Sequence, residues 1–114
     1  LHIDIEVMNE IQKKVDEGVE VHVVTRPKSD FGGDRAKAAF DYLRRMLKSN
    51  HATNSQVHAR FLVSDYDKVL VSSADLSHDS LIAQYNAGIV CSEPGIVRKM
   101  VDYFGSIWRN SSKV

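Results

Sequence analysis

Cysteine is nearly absent from the chain: Cys91 is the only one in 114 residues. One thiol excludes an internal disulfide framework and a cysteine-rich zinc site, and it fits a reducing compartment. As a small apolar side chain, Cys91 reads as core. Long hydrophobic runs are missing too. None approaches the roughly 18 apolar residues of a membrane-spanning helix, and the N-terminus lacks a basic-then-apolar leader, so the expected location is cytoplasmic. Charge of either sign is not in excess: 15 Lys and Arg balance 15 Asp and Glu, for a formal net charge of zero. That balance removes the overall electrostatic signature of a nucleic-acid binder, while leaving room for a local basic patch. Metal-ligand spacings such as H-x3-H or H-x2-E-H do not occur, so neither metal nor other cofactor is expected. A starting Met is lacking, and the chain opens on the approach to a helix; it reads as a fragment of a longer polypeptide.

What is present is ordinary for a globular protein, with 43% hydrophobic and 26% charged residues, enough for one domain over residues 1–114 with a real core. Ile5, Met8, Ile11 and Val15 recur at helical spacing, with Asp4 as N-cap and Gly18 as the stop. Val19 to Thr25 reads as a buried strand ended by Pro27. A second helix follows from Asp34 to Lys48, with Ala36, Ala39, Phe40, Leu43 and Leu47 as its packing stripe. Ser49 to Ser55 is polar and reads as a loop. Val57 to Ser64 and Lys68 to Ser73 form a hairpin around Asp65, Tyr66 and Asp67. Ser77 to Tyr85 reads as a short helix or turn, and Ala87 to Cys91 as a central strand. Glu93-Pro94-Gly95 opens a last helix, Ile96 to Trp108, packed through Ile96, Val97, Met100, Phe104 and Trp108. Helices alternating with strands predict an α/β fold, a mixed β-sheet flanked by helices.

Within the hairpin, alternation puts His58, Arg60, Leu62 and Ser64 on one side and Ala59, Phe61 and Val63 on the other. An imidazole beside a guanidinium suits an anionic phosphorus centre: the cation neutralises non-bridging oxygens while the neutral ring acts as nucleophile or proton shuttle. The second strand brings Ser72, Ser73 and Asp75 back past the same region, where hydroxyls and backbone N–H groups can cradle an oxyanion. On its own, a His and an Arg two apart more often mark a solvated face.

The order of the surrounding residues adds to this. His58-Ala59-Arg60, four residues, Asp65, and then Val71-Ser72-Ser73-Ala74-Asp75-Leu76 resemble the phospholipase D superfamily signature H-x-K-x4-D followed by G-S-x-N. Gly18 to Val21 with Thr25-Arg26-Pro27 resembles the family's upstream strand and loop, and Gln84 to Val90 its N-x-E-A-G-V segment. The resemblance implies a phospholipase D-like lobe, one of two that face each other across a shared site, in one polypeptide or as a homodimer. It also implies a metal-independent phosphodiesterase in which one histidine becomes a phosphohistidine and its opposite number protonates the leaving group. Carried over by position, His58, Arg60 and Asp65 are the catalytic set, Arg60, Ser73 and Asp75 the phosphate ligands, and Asn86 the residue that orients the histidine ring. The substrate is expected to be nucleic acid in preference to lipid. Asp65, lying in a turn, is also placed to cap backbone N–H groups.

Four departures stand against an intact site. Arg60 replaces the family's Lys and contacts phosphate through a larger planar fork. Ser72 replaces a glycine. Asp75 replaces an asparagine and sets an anion against the phosphate. Asn86 replaces the glutamate and stabilises an imidazolium less than a carboxylate does. The alternative reading is therefore a non-catalytic lobe kept for dimerisation or for binding a phosphate backbone.

Other features have blander readings. His2 and His51 are expected in terminal or loop positions, His22 on a strand, and His78 shortly after the signature. Phe31-Gly32-Gly33-Asp34-Arg35 lacks the spacing of a phosphate-binding turn and reads as a surface loop. Arg26, Lys28 and Arg35 border it, as solvated charges or as contacts for a polyanion. Met100, Phe104 and Trp108 read as core packing, with a contact between lobes as the alternative.

Overall fold

A computed structural model of the chain describes residues 5–73 and 85–113. Its contacts group into two units, Leu1–Val57 with Ser111–Val114, and His58–Asn110. The expected N-cap Asp4 and most of the expected short helix at Ser77 to Tyr85 lie outside the described residues.

The first unit opens with helix α1, Ile5–Asp16. The three-and-four spacing of its apolar residues works as expected: Met8 is buried, with Ile11 and Val15 beside it. Gly18 stops the helix at a φ of 89°. Its N–H reaches the Val15 carbonyl at 3.0 Å, and the N–H of Val19 reaches that of Lys14 at 2.9 Å. This left-handed cap satisfies the last carbonyls of the helix and favours glycine at that position. It also explains why the expected strand is short. Val19 serves the cap and stays exposed, so strand β1 runs only over Val23–Thr25.

Helix α2, Asp34–Leu47, buries Phe40, Leu43 and Leu47. Met8, Leu43 and Leu47 form the core of this unit, ringed by Ile11, Val15, Val21, Val23, Ala39, Tyr42 and Met46. Leu43 has 0% of its surface exposed. Leu43→Ala is therefore expected to cost roughly 3 kcal/mol of stability, the transfer term plus the cavity left behind. Urea denaturation measures this, and a loss below about 1 kcal/mol would mean that the site is not close-packed.

The expected loop at Ser49 to Ser55 contains a strand instead. Strand β2, His51–Thr53, pairs parallel to β1 with Val23 opposite His51 and Thr25 opposite Thr53. It also pairs antiparallel with Ser112–Lys113 near the C-terminus. Its polar composition hid it: His51 and Ala52 are wholly buried, and one nitrogen of the imidazole, Nε2, is paired with the Thr25 hydroxyl at 2.8 Å. A polar residue tolerates burial when it is paired in this way.

The second unit is an antiparallel sheet under one helix. Strands β3 (Phe61–Ser64), β4 (Lys68–Ser72) and β5 (Gly88–Cys91) lie in that order. The register sets Phe61, Val71 and Ile89 abreast, as it does Val63, Val69 and Cys91. Helix α3, Pro94–Arg109, packs against β3 and β4 on that face and leaves Val71 and Ile89 exposed. Val69 and Val97 are buried, the Phe61 ring stacks on Tyr103 at 5.7 Å and meets Phe104 edge-on at 6.2 Å, and Phe104 stacks on Trp108. Ile96, expected in the core, is exposed. Expected as central, β5 is, among the described residues, the outer strand of this sheet, with Ile89 and Val90 exposed; an apolar run alone does not separate an edge from a centre. Pro94 stands in the first turn of α3, and Glu93 caps it by accepting from the N–H groups of Gly95 at 3.0 Å and Ile96 at 2.8 Å. Those two bonds hold the Glu93 carboxyl below its ordinary pKa.

The architecture is α/β, as expected. The one mixed sheet read from the sequence is, among the described residues, two three-stranded sheets, one mixed (Ser112–Lys113 being its third strand, β6) and one antiparallel.

Candidate phosphate-handling site

The β3–β4 hairpin carries the residues of interest. At its tip Asp65 and Tyr66 have φ values of 54° and 58°, and the Asp67 N–H closes onto the Ser64 carbonyl at 3.1 Å. Consecutive left-handed residues give the tight turn whose twist matches the flanking strands, and Asp is among the few side chains that accept it. Asp65 thus has a conformational task. Replacing it with Asn or Gly is expected to leave thermal stability within about 0.5 kcal/mol, whereas Asp65→Val should cost about 1–2 kcal/mol. Equal losses in a thermal melt of all three variants would contradict this assignment.

Asp65 and Arg60 stand at opposite ends of β3, about 16 Å apart at the usual rise per residue. The structure therefore does not bring Asp65 to His58 and Arg60 within this lobe, although the three are matched to one signature.

At the other end of the hairpin the strand begins later than expected. The run predicted from Val57 starts at Phe61, and His58 and Arg60 precede it, both exposed. Arg60 is still tied to the sheet, since its carbonyl accepts the Ser72 N–H at 3.2 Å, one rung beyond the strand pairing. Ser72 lies opposite Gly88. A Cβ on Gly88 would stand 3.0 Å from the Val71 carbonyl oxygen and 3.3 Å from the Ser72 side chain, so a larger residue there fits only if these neighbours give way.

Next comes Ser73. Its N–H donates to the Ala87 carbonyl at 3.0 Å. Its hydroxyl donates to Asn86 Oδ1 at 3.0 Å and accepts the Ala87 N–H at 3.1 Å. Ser73 and Asn86, expected to serve a phosphate and a histidine ring respectively, are thus bonded to each other. The Ala87 carbonyl is a second acceptor for that hydroxyl at 3.3 Å, so to donate to a phosphate the Ser73 proton must turn away from both, because a hydroxyl has only one proton to donate. Asp75 lies outside the described residues. The sheet end accordingly gathers Arg60, Ser72, Ser73 and Asn86, with His58 two residues ahead of Arg60. Gly88 escaped sequence reading, although its place in the segment resembling N-x-E-A-G-V was the available signal.

Two of the three cations considered for a polyanion are engaged by carboxylates: Arg26 by Asp30 at 3.0 Å and Lys28 by Asp41 at 2.9 Å. Among the described residues no group of three or more His, Cys, Asp or Glu converges as a metal site would require, and no helix is long and apolar enough to cross a membrane.

The family model of the cardiolipin synthase, phospholipase D-like domain matches residues 3–108, so the chain belongs to the phospholipase D-like family, which is of the phosphodiesterase type. Its fold is similar to that of Nuc, a phospholipase D family member from Salmonella typhimurium, with a TM-score of 0.80 and 15% identity over 99% of this chain and 76% of that one. It is also similar to TrmBL2, an archaeal chromatin protein with a novel mode of DNA binding, with a TM-score of 0.64 and 19% identity over 95% of this chain and 40% of that one. No curated protein sequence matches it.

Proposed function

We propose that the chain is one lobe of a phospholipase D-type phosphodiesterase that acts through a phosphohistidine on His58, with nucleic acid in preference to lipid as its substrate. The observation carrying this reading is the gathering of Arg60, Ser73 and Asn86 at one end of the antiparallel sheet; His58, two residues before Arg60, is matched to the family's histidine by the resemblance of the sequence. A ring nitrogen of His58 attacks phosphorus. The phosphorus–nitrogen bond forms as the bond to the leaving oxygen breaks, and the histidine of a facing lobe supplies the proton that oxygen needs. Water then cleaves the phosphorus–nitrogen bond and regenerates the ring. Arg60 neutralises the non-bridging oxygens, Ser73 and Asp75 border them, and Asn86 steadies the ring. The site needs no metal, and the facing lobe comes from the same polypeptide or from a second copy in a cytoplasmic dimer. A DNA-binding structural neighbour favours nucleic acid.

A second reading, a non-catalytic lobe for dimerisation or for holding a phosphate backbone, is favoured by one observation: the Ser73 hydroxyl is engaged within the sheet end, with Asn86 Oδ1 at 3.0 Å and the Ala87 carbonyl at 3.3 Å as its acceptors. The two readings separate on hydrolysis of bis-p-nitrophenyl phosphate in the presence of a chelator, run on a verified dimer or the longer parent polypeptide. Turnover that depends on His58 supports the enzyme. Binding of a fluorescent oligonucleotide without turnover supports the lobe alone.

A further inference from the structure

We infer that His51 is an acid-operated latch in the first unit: its buried ring is locked by Thr25 in a form that cannot accept a second proton without loosening β2. The ring is 0% exposed and meets Phe40 edge-on at 4.9 Å. Nε2 lies 2.8 Å from the Thr25 hydroxyl oxygen, and that hydroxyl also lies 2.9 Å from the Arg26 carbonyl. A carbonyl can only accept, so the Thr25 proton points to Arg26, and the Thr25 oxygen must accept a proton carried by His51 Nε2. The neutral ring is thereby fixed as the Nε2–H tautomer. Its other nitrogen, Nδ1, is buried and finds no hydrogen-bond partner.

A second proton must go to Nδ1. It would create a buried cation whose new N–H has no acceptor, which is costly in an interior site. Of the charged groups on the surrounding elements, Arg44 acts on the ring from α2 and repels the added charge. Asp41, also on α2, is engaged by Lys28 at 2.9 Å. Lys113, on the strand that flanks β2, turns its ammonium to the Ser111 carbonyl at 3.3 Å. Strand β1 contributes Val23, Val24 and Thr25, none of them ionisable. Burial first and Arg44 second lower the pKa of His51 from 6.5 to about 4.

Because the folded value lies below the unfolded one, the stabilisation is complete above the unfolded pKa and is lost as pH falls from there toward 4. The strain falls on a connected set of bonds. The Thr25 carbonyl accepts the Asn54 N–H at 2.8 Å, and Arg26 Nη1 donates to the Val57 carbonyl at 3.3 Å. Loosening of the β1–β2 pair therefore reaches the residue that precedes His58 in the chain.

The test is urea unfolding of the whole chain and of His51→Gln at about pH 7.5 and about pH 5, with nitrogen-15 spectra of the wild-type ring across the same range. The folding constant of the wild type should fall about 25-fold more than that of His51→Gln, which cancels the share due to carboxylates common to both. The folded ring should stay neutral, with its proton on Nε2, down to about pH 5. Equal pH dependence in the two proteins, a folded ring that titrates near its ordinary value, or a proton on Nδ1 at neutral pH would each overturn the inference. If His51→Gln does not fold, the wild-type spectra decide alone.

Discussion

His58→Ala should slow chelator-resistant hydrolysis of bis-p-nitrophenyl phosphate by at least about a thousandfold, because it removes the atom that bonds to phosphorus and leaves no second route to the covalent intermediate. His58 is exposed and lies outside the regular strand, so its loss should change stability by no more than about 0.5 kcal/mol. That separation makes the rate interpretable, since a folded but inactive variant points to chemistry and a collapsed one does not. Matching rates for wild type and variant would remove the proposed phosphohistidine. An oligonucleotide affinity left unchanged by the substitution would then favour the binding lobe.

Asp75→Asn combined with Asn86→Glu should act in the opposite direction, raising kcat/KM about tenfold to a hundredfold. The first change removes an anion that repels the phosphate. The second restores a carboxylate to steady a developing imidazolium, and orienting carboxylates of this kind contribute several orders of magnitude in well-adapted hydrolases. The Asn86 side chain already accepts the Ser73 hydroxyl at 3.0 Å, and a glutamate at that position can accept the same proton while keeping a second oxygen for the ring. The two contributions separate in the kinetics: relief of repulsion lowers KM, and ring stabilisation raises kcat. A doubly substituted protein no faster than wild type would show that the altered positions are not what limits turnover.

How much of this was legible in advance depended on whether a signal was local. The three helices were, because Met8, Phe40, Leu43, Leu47 and Val97 recur at helical spacing and bury as that spacing requires. The hairpin was legible from two β-rich runs around Asp65-Tyr66-Asp67, and the order of the site residues from the resemblance to a known signature. Features made by pairing across the chain were not. His51-Ala52-Thr53 is polar and looked like a loop, but its partners are residues 23–25 and 112–113. Val19 looked like strand until the helix cap claimed its N–H. The Ser73–Asn86 bond joins residues 13 apart in sequence, and only the antiparallel register brings them together. Asp65 shows the converse: adjacency within a signature suggested a shared site, while an extended strand carries the two ends of the signature apart.

Ser72 and Gly88 stand opposite each other across β4 and β5, so the size of either side chain is felt by the other strand. The resembled signature has a glycine at both positions, and this chain keeps only the one at 88, so the hydroxymethyl group of Ser72 faces a bare glycine across the strands. A side chain added at 88 would press first on the Val71 carbonyl oxygen, at 3.0 Å, and then on Ser72, at 3.3 Å, so shrinking position 72 relieves only part of the crowding and the backbone of β4 must yield as well.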